Sequence, residues 1–170
     1  MDLLMLLARL LHIGLGVFWA GTAVFTAIFL FPAIAEAGPD GAKVGAALMR
    51  RRFMQVMPPV AGLTILSGLY LYWRVSGGFQ PTFMHSGMGM TVGFGAAAAI
   101  AAFVVGLVVM RPAMTRAAAL AQSAAQAAPA DRQTQLAAAQ AMRQRGARAG
   151  QVVAVLVALT VAAMALARYM

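Results

Sequence analysis

His12 and His85 are the only imidazoles in a chain of 170 residues, and each lies near one end of a long apolar run. Neutral imidazoles at one depth on two different helices can ligate the iron of a b-type haem from its two faces. Around the second lies Met84-His85-Ser86-Gly87-Met88-Gly89-Met90, where thioethers flank an imidazole. Such soft donors favour Cu(I). Haem iron and copper are therefore the two chemistries that these residue types point to.

Other chemistries are closed. There is no cysteine, which removes disulfides, thiolate metal sites and a thiol nucleophile. The four carboxylates are Asp2, Glu36, Asp40 and Asp131. None falls inside an apolar run, where a proton-coupled transporter normally keeps one, and no pair is placed for acid/base work. Serine is too scarce for a hydrolase constellation, so no catalytic residue is assigned. The net charge of +9 comes without the interleaved aromatics of a nucleic-acid stacking surface; nucleic acid is not an expected partner.

The elements that must position the histidines are membrane spans. The chain is 62% hydrophobic and 10% charged, with a mean hydropathy of +0.82, against a roughly half-apolar, quarter-charged soluble domain. About 20 apolar residues cross the hydrocarbon core, and four stretches qualify: 10–35, 54–73, 83–110 and 151–167. The first run is too long for a signal peptide and is expected to stay in the mature chain. Gly38-Pro39-Asp40-Gly41, Ser76-Gly77-Gly78 with Pro81, and Pro129 punctuate the connections, and Pro58-Pro59 should bend the second span.

Charge sets the direction. Lys43, Arg50, Arg51 and Arg52 in the first connection, with Arg111, Arg116, Arg132, Arg143, Arg145 and Arg148 in the third, make ten basic residues against three (Arg9, Arg74 and Arg168) on the opposite side. The basic side is expected to be cytoplasmic, with both termini outside the inner membrane of a bacterium. Residues 113–148 are rich in alanine, glutamine and arginine, good helix formers, with one break where Asp131 can cap a new helix. They read as a cytoplasmic helical hairpin that extends the third and fourth helices. The expected fold is all-α: one membrane domain over residues 1–170, a four-helix transmembrane bundle.

In that frame both histidines lie roughly 5 Å below the outer boundary at 1.5 Å per residue, on helices running the same way. His12, Gly16 and Ala20 share one face of the first helix. His85, Gly89, Gly93 and Ala97 share one face of the third. Small residues on both stripes leave room for a macrocycle, and Arg9 and Arg74 near the same edge suit haem propionates. The same stripes also serve plain helix packing, since Gly89 and Gly93 form a GxxxG. For copper, one regular helix cannot aim Met84, His85 and Met90 at a point. The run must unwind in part, or borrow Met5 or His12.

Leu10-Leu11-His12-Ile13-Gly14, Trp19-Ala20-Gly21 and Phe31-Pro32-Ala33, followed by Gly62-Leu63-Thr64-Ile65-Leu66-Ser67-Gly68-Leu69, resemble the first two helices of small bacterial membrane proteins of the copper-resistance D family and the HemJ-type protoporphyrinogen oxidases. The resemblance covers about residues 10 to 75. It implies a four-helix membrane fold with a histidine, here His12, near the outer end of the first helix. The HemJ-like members imply haem or porphyrin chemistry, but they use an intramembrane lysine, whereas the single lysine here is Lys43 in the first connection. The copper-resistance relatives imply copper passage, with His85 and its methionines as the uptake site.

The expectation is thus a membrane protein holding one b-type haem near the outer face, with His12 and His85 as ligands and Arg9, Arg74, Gly16 and Gly89 around the ring, in electron transfer or redox sensing. The alternatives are Cu(I) binding or transport through Met84, His85, Met88 and Met90, with His12 in reach, and a non-catalytic structural subunit. Expected partners are membrane lipids and a second copy or a membrane partner protein.

Overall fold

Asp2 starts the first helix: its carboxylate accepts the Leu4 amide at 3.1 Å, satisfying one of the N–H groups that a helix start leaves without a partner. The computed structural model describes residues 2–170, Pro39 by its backbone alone, and those residues are helical almost throughout, with no strand among them. Helix α1 spans Leu3–Phe25, so the first span begins seven residues before the expected Leu10, because Leu3 to Leu7 are already apolar.

Proline explains the next irregularity. After α1 the helix widens into a π turn, Thr26–Leu30, closed by Phe31 N–H to Thr26 C=O, and continues as α2, Phe31–Glu36. Pro32 follows at once. A proline ring clashes with the carbonyl four residues back, and a wider turn relieves the clash without ending the helix. Helix α3, Gly38–Arg50, occupies what the sequence marks as a break; the turn is confined to Ala37 and Gly38. Helix α4, Phe53–Val75, is entered through Arg52 in the left-handed region (φ 57°) and runs through Pro58 and Pro59.

The turn after α4 is tight. Gly77 and Gly78 take φ of 66° and 86°, which glycine adopts without steric cost, and the Ser76 hydroxyl accepts the Phe79 amide at 2.8 Å. A four-residue helix α5, Pro81–Met84, comes next, and only then α6, Gly87–Val105. The third span therefore starts at Gly87, not 83, because Ser86 caps it by accepting the Gly89 amide at 3.0 Å. A second π turn, Gly106–Met110, again directly precedes an X-Pro pair, Arg111-Pro112, and leads into α7, Arg111–Gln126.

Helix α8, Pro129–Leu166, is continuous for 38 residues, so the expected fourth span at 151–167 is only its second half. The expected cap at Asp131 is replaced: Ala128 is the N-cap and Asp131 sits in the first turn, where its charge suits the helix dipole. Arg132 instead closes the end of α7, its Nε donating to the Ala124 carbonyl at 3.2 Å.

Four helices are long and apolar enough to cross a membrane: Leu3–Glu36, Phe53–Val75, Gly87–Gln126 and Pro129–Tyr169. Helix α1 packs on α4, α4 on α6, α6 on α8, and α8 returns to α1; α7 lies along α8, while α1 and α6 form no major packed pair. The centre combines Trp19 with Ala61, Ala99, Ala102, Val153 and Val157, and the alanines let backbones approach without a hydrophobic drive between helices. Large apolar side chains, among them Leu10, Ile13, Val17, Phe29, Leu66, Phe94 and Val155, point outward. That much exposed apolar surface suits lipid around it.

Candidate functional site

Thr64, Gly68 and Tyr72 stand four residues apart and form one stripe of α4. His12 of α1 docks on it: its Nδ1 lies 2.9 Å from the Thr64 carbonyl oxygen. A carbonyl only accepts, so Nδ1 carries the proton and Nε2 keeps its lone pair. Glycine makes the approach possible, since a Cβ at Gly68 would stand 2.6 Å from His12 Cε1 and 2.9 Å from Nδ1. Gly16, one turn further along α1, faces Thr64 in ordinary contact, 3.5 Å from a Cβ built there to Thr64 Cγ2. The small-residue stripe of the first helix thus receives the second helix.

Tyr72 occupies the corresponding groove of the third span. It is buried, and its hydroxyl donates to the Gly89 carbonyl at 2.7 Å. A Cβ at Gly93 would lie 3.3 Å from that hydroxyl, and one at Gly89 would overlap the Phe83 carbonyl. Phe79 packs edge-on to the Tyr72 ring at 5.6 Å, with Phe83 tilted at 6.2 Å.

His85 departs from expectation. It is the C-cap of α5, exposed, with φ −92° and ψ 0°. It therefore precedes the third span and does not share a helical face with Gly89, Gly93 and Ala97. Met84 and Met88 are half-buried on either side of this break and Met90 is exposed on α6. Arg9 lies exposed on α1. Arg74 pairs with Asp2 at 3.1 Å and donates to the Tyr70 hydroxyl at 2.8 Å. The Leu4 amide, and then Arg74, hold the Asp2 carboxyl below its ordinary value.

A haem ligated from both faces by His12 and His85 does not fit this packing. His12 is turned onto the second span, α1 and α6 are not a packed pair, His85 sits in a turn, and Tyr72 fills the space beside Gly89 and Gly93. One axial bond from His12 does fit its donor chemistry, because a ligating histidine characteristically donates its other ring N–H to a carbonyl or carboxylate. Among the described residues no group of three or more His, Cys, Asp or Glu side chains is placed to hold a metal ion.

Thr64, Gly68 and Tyr72 escape a reading that looks only for ligands, although their four-residue spacing is visible. Also missed is a cleft near the opposite end of the spans, lined by Trp19, Thr26, Met57, Phe103, Met110 and Arg111. Its signal is Pro32 and Pro112, each preceded by a π turn, with Pro58-Pro59 inside α4. No family model, curated protein or solved structure matches this chain.

Proposed function

We propose that the chain is a four-helix bundle of the bacterial inner membrane, with both termini outside and α7 and the first half of α8 forming a cytoplasmic hairpin. In this reading it holds one b-type haem near the outer face through His12 Nε2 as a single axial ligand, and serves membrane electron transfer or redox sensing. The observation that carries the proposal is the 2.9 Å contact of His12 Nδ1 with the Thr64 carbonyl, which fixes the tautomer and presents Nε2 as a donor. Bound haem would supply the redox change; the chain's own part is to hold the imidazole in orientation. Arg9, three residues from His12 on the same helix, is the propionate partner in this proposal.

The test is a reduced-minus-oxidised spectrum of the purified protein, wild type and two variants. A b-type band lost in His12→Ala and retained in His85→Ala supports the proposal. No band in the wild type, or a band indifferent to His12→Ala, overturns it.

A second reading is favoured by one feature, the helix break at His85-Ser86. It supplies the local unwinding that a Cu(I) site from Met84, His85, Met88 and Met90 requires, since a regular helix cannot converge them. Copper content that falls in Met84→Leu/Met88→Leu, with any haem band unchanged, selects this reading over the first.

A further inference from the structure

The cleft beneath Trp19 sits where two helices widen into π turns and a third carries a proline pair. Thr26 opens the first π turn, Gly106, Leu107 and Met110 belong to the second, and Pro58 lies within the continuous α4; all line the cleft. Each π turn directly precedes an X-Pro pair, Phe31-Pro32 and Arg111-Pro112. Its walls are almost entirely apolar. Met54, Met57 and Met110 line it, and unbranched thioethers adapt to a flexible guest. Its volume is about 70 Å³, less than the ~150 Å³ that admits a benzene ring. A macrocycle is too large, whereas a hydrocarbon chain entering end-on is not.

One lining residue is a cation, and three more adjoin the lining along the chain. Arg111 is itself a lining residue, and Arg50, Arg51 and Arg52 directly precede the lining residue Phe53. Among the described residues none of these four arginines forms an ion pair or side-chain hydrogen bond, the two ion pairs being Lys43 with Asp40 and Arg74 with Asp2. Arg52 also holds a left-handed backbone, φ 57°, which a glycine would take without steric cost.

We propose that this cleft is a binding site for an anionic phospholipid, with the end of one acyl chain between the spans and the phosphate at Arg111 and Arg52. Basic pockets between spans at a membrane interface suit such headgroups, and guanidinium forks match phosphate oxygens. The proposal uses only the described spans and is independent of what His12 binds.

Trp19 lines the cleft and is buried, which makes it a reporter. In a Trp73→Phe background it is the sole tryptophan of the chain. The protein is reconstituted in phosphatidylcholine vesicles doped with phosphatidylglycerol or phosphatidylcholine carrying brominated chains, and Trp19 quenching is followed against mole fraction. Brominated phosphatidylglycerol should quench at a mole fraction about fivefold lower per engaged arginine. Arg111→Gln and Arg52→Gly should each reduce that preference, and Arg52→Gly relieves backbone strain, so its effect is not unfolding. Equal quenching by the two lipids, absence of quenching by either, or a preference that survives both substitutions overturns the proposal.

Discussion

The His12 imidazole lies in the space that a side chain at Gly68 would fill, with Cε1 only 2.6 Å from where a Cβ would stand. The two residues should therefore be energetically coupled. Gly68→Ala is expected to destabilise the protein by about 1–3 kcal/mol through overpacking and to displace Nδ1 from the Thr64 carbonyl. With His12→Ala already present the obstacle is gone. The same change should then be neutral or stabilising by up to about 1 kcal/mol, the ordinary helical preference for alanine over glycine. A double-mutant cycle in bicelles measures this directly; additive effects would show that the imidazole does not rest on Gly68.

Tyr72 and Gly89 make a second coupled pair across the 2.7 Å hydroxyl-to-carbonyl bond. Tyr72→Phe keeps the ring contacts with Phe79 and Phe83 and removes only the donor. A cost of about 0.5–1.5 kcal/mol follows, in line with interhelical hydrogen bonds in membranes. Gly89→Ala should cost more, because its Cβ meets the Phe83 backbone carbonyl, which cannot swing aside like a side-chain tip. Reversible unfolding in mixed micelles ranks the two, and a larger loss for Tyr72→Phe would refute the packing described around α6.

Acid should loosen the N-terminal tether. The Asp2 carboxyl is held below its ordinary 3.8, first by the Leu4 amide and then by Arg74. Because the folded value is the lower one, the contribution is fully present above 3.8 and fades as pH falls through the folded value. Both groups are solvent-exposed, so salt should weaken the pair further. The Leu4 amide shift followed by NMR from pH 6 to 2 should titrate below 3.8, and Asp2→Asn should abolish that titration. A midpoint at or above 3.8 would contradict the cap.

How much of this was legible in the sequence depends on what each signal reports. Hydrophobic run length locates four apolar helices because crossing lipid demands it. It misplaces their ends, since α1 has apolar residues from Leu3 onward and α8 passes from its alanine-rich half into its apolar half without a break. Wide turns just before the prolines at 32 and 112 keep the helices running, and run length does not report them. Pro81 reads correctly as a helix start, but Ser86 restarts the helix five residues later, and that local cap removes His85 from the span. The stripe of His12 and Gly16 was visible, whereas its partner was not, because spacing along one helix does not say which neighbour it faces.

Membrane orientation can be tested apart from any cofactor, by single cysteines in a chain that has none. Ser76 is a poor reporter: it is only 3% exposed and its hydroxyl accepts the Phe79 amide. Gln80 is the better choice for the outer turn, being exposed and making no side-chain cap to α5. Ser123, exposed on α7, reports the other side. Gln80→Cys should react with an impermeant maleimide added to intact cells, and Ser123→Cys should react only after lysis. The expectation rests on the ten basic residues on one side against three on the other, since carrying a positive charge outward against the membrane potential costs about 2.3 kcal/mol per 100 mV. Labelling of Ser123→Cys alone in intact cells would reverse the protein, bring His12 to the cytoplasmic face, and require any electron donor or acceptor to reach it from the cytoplasm.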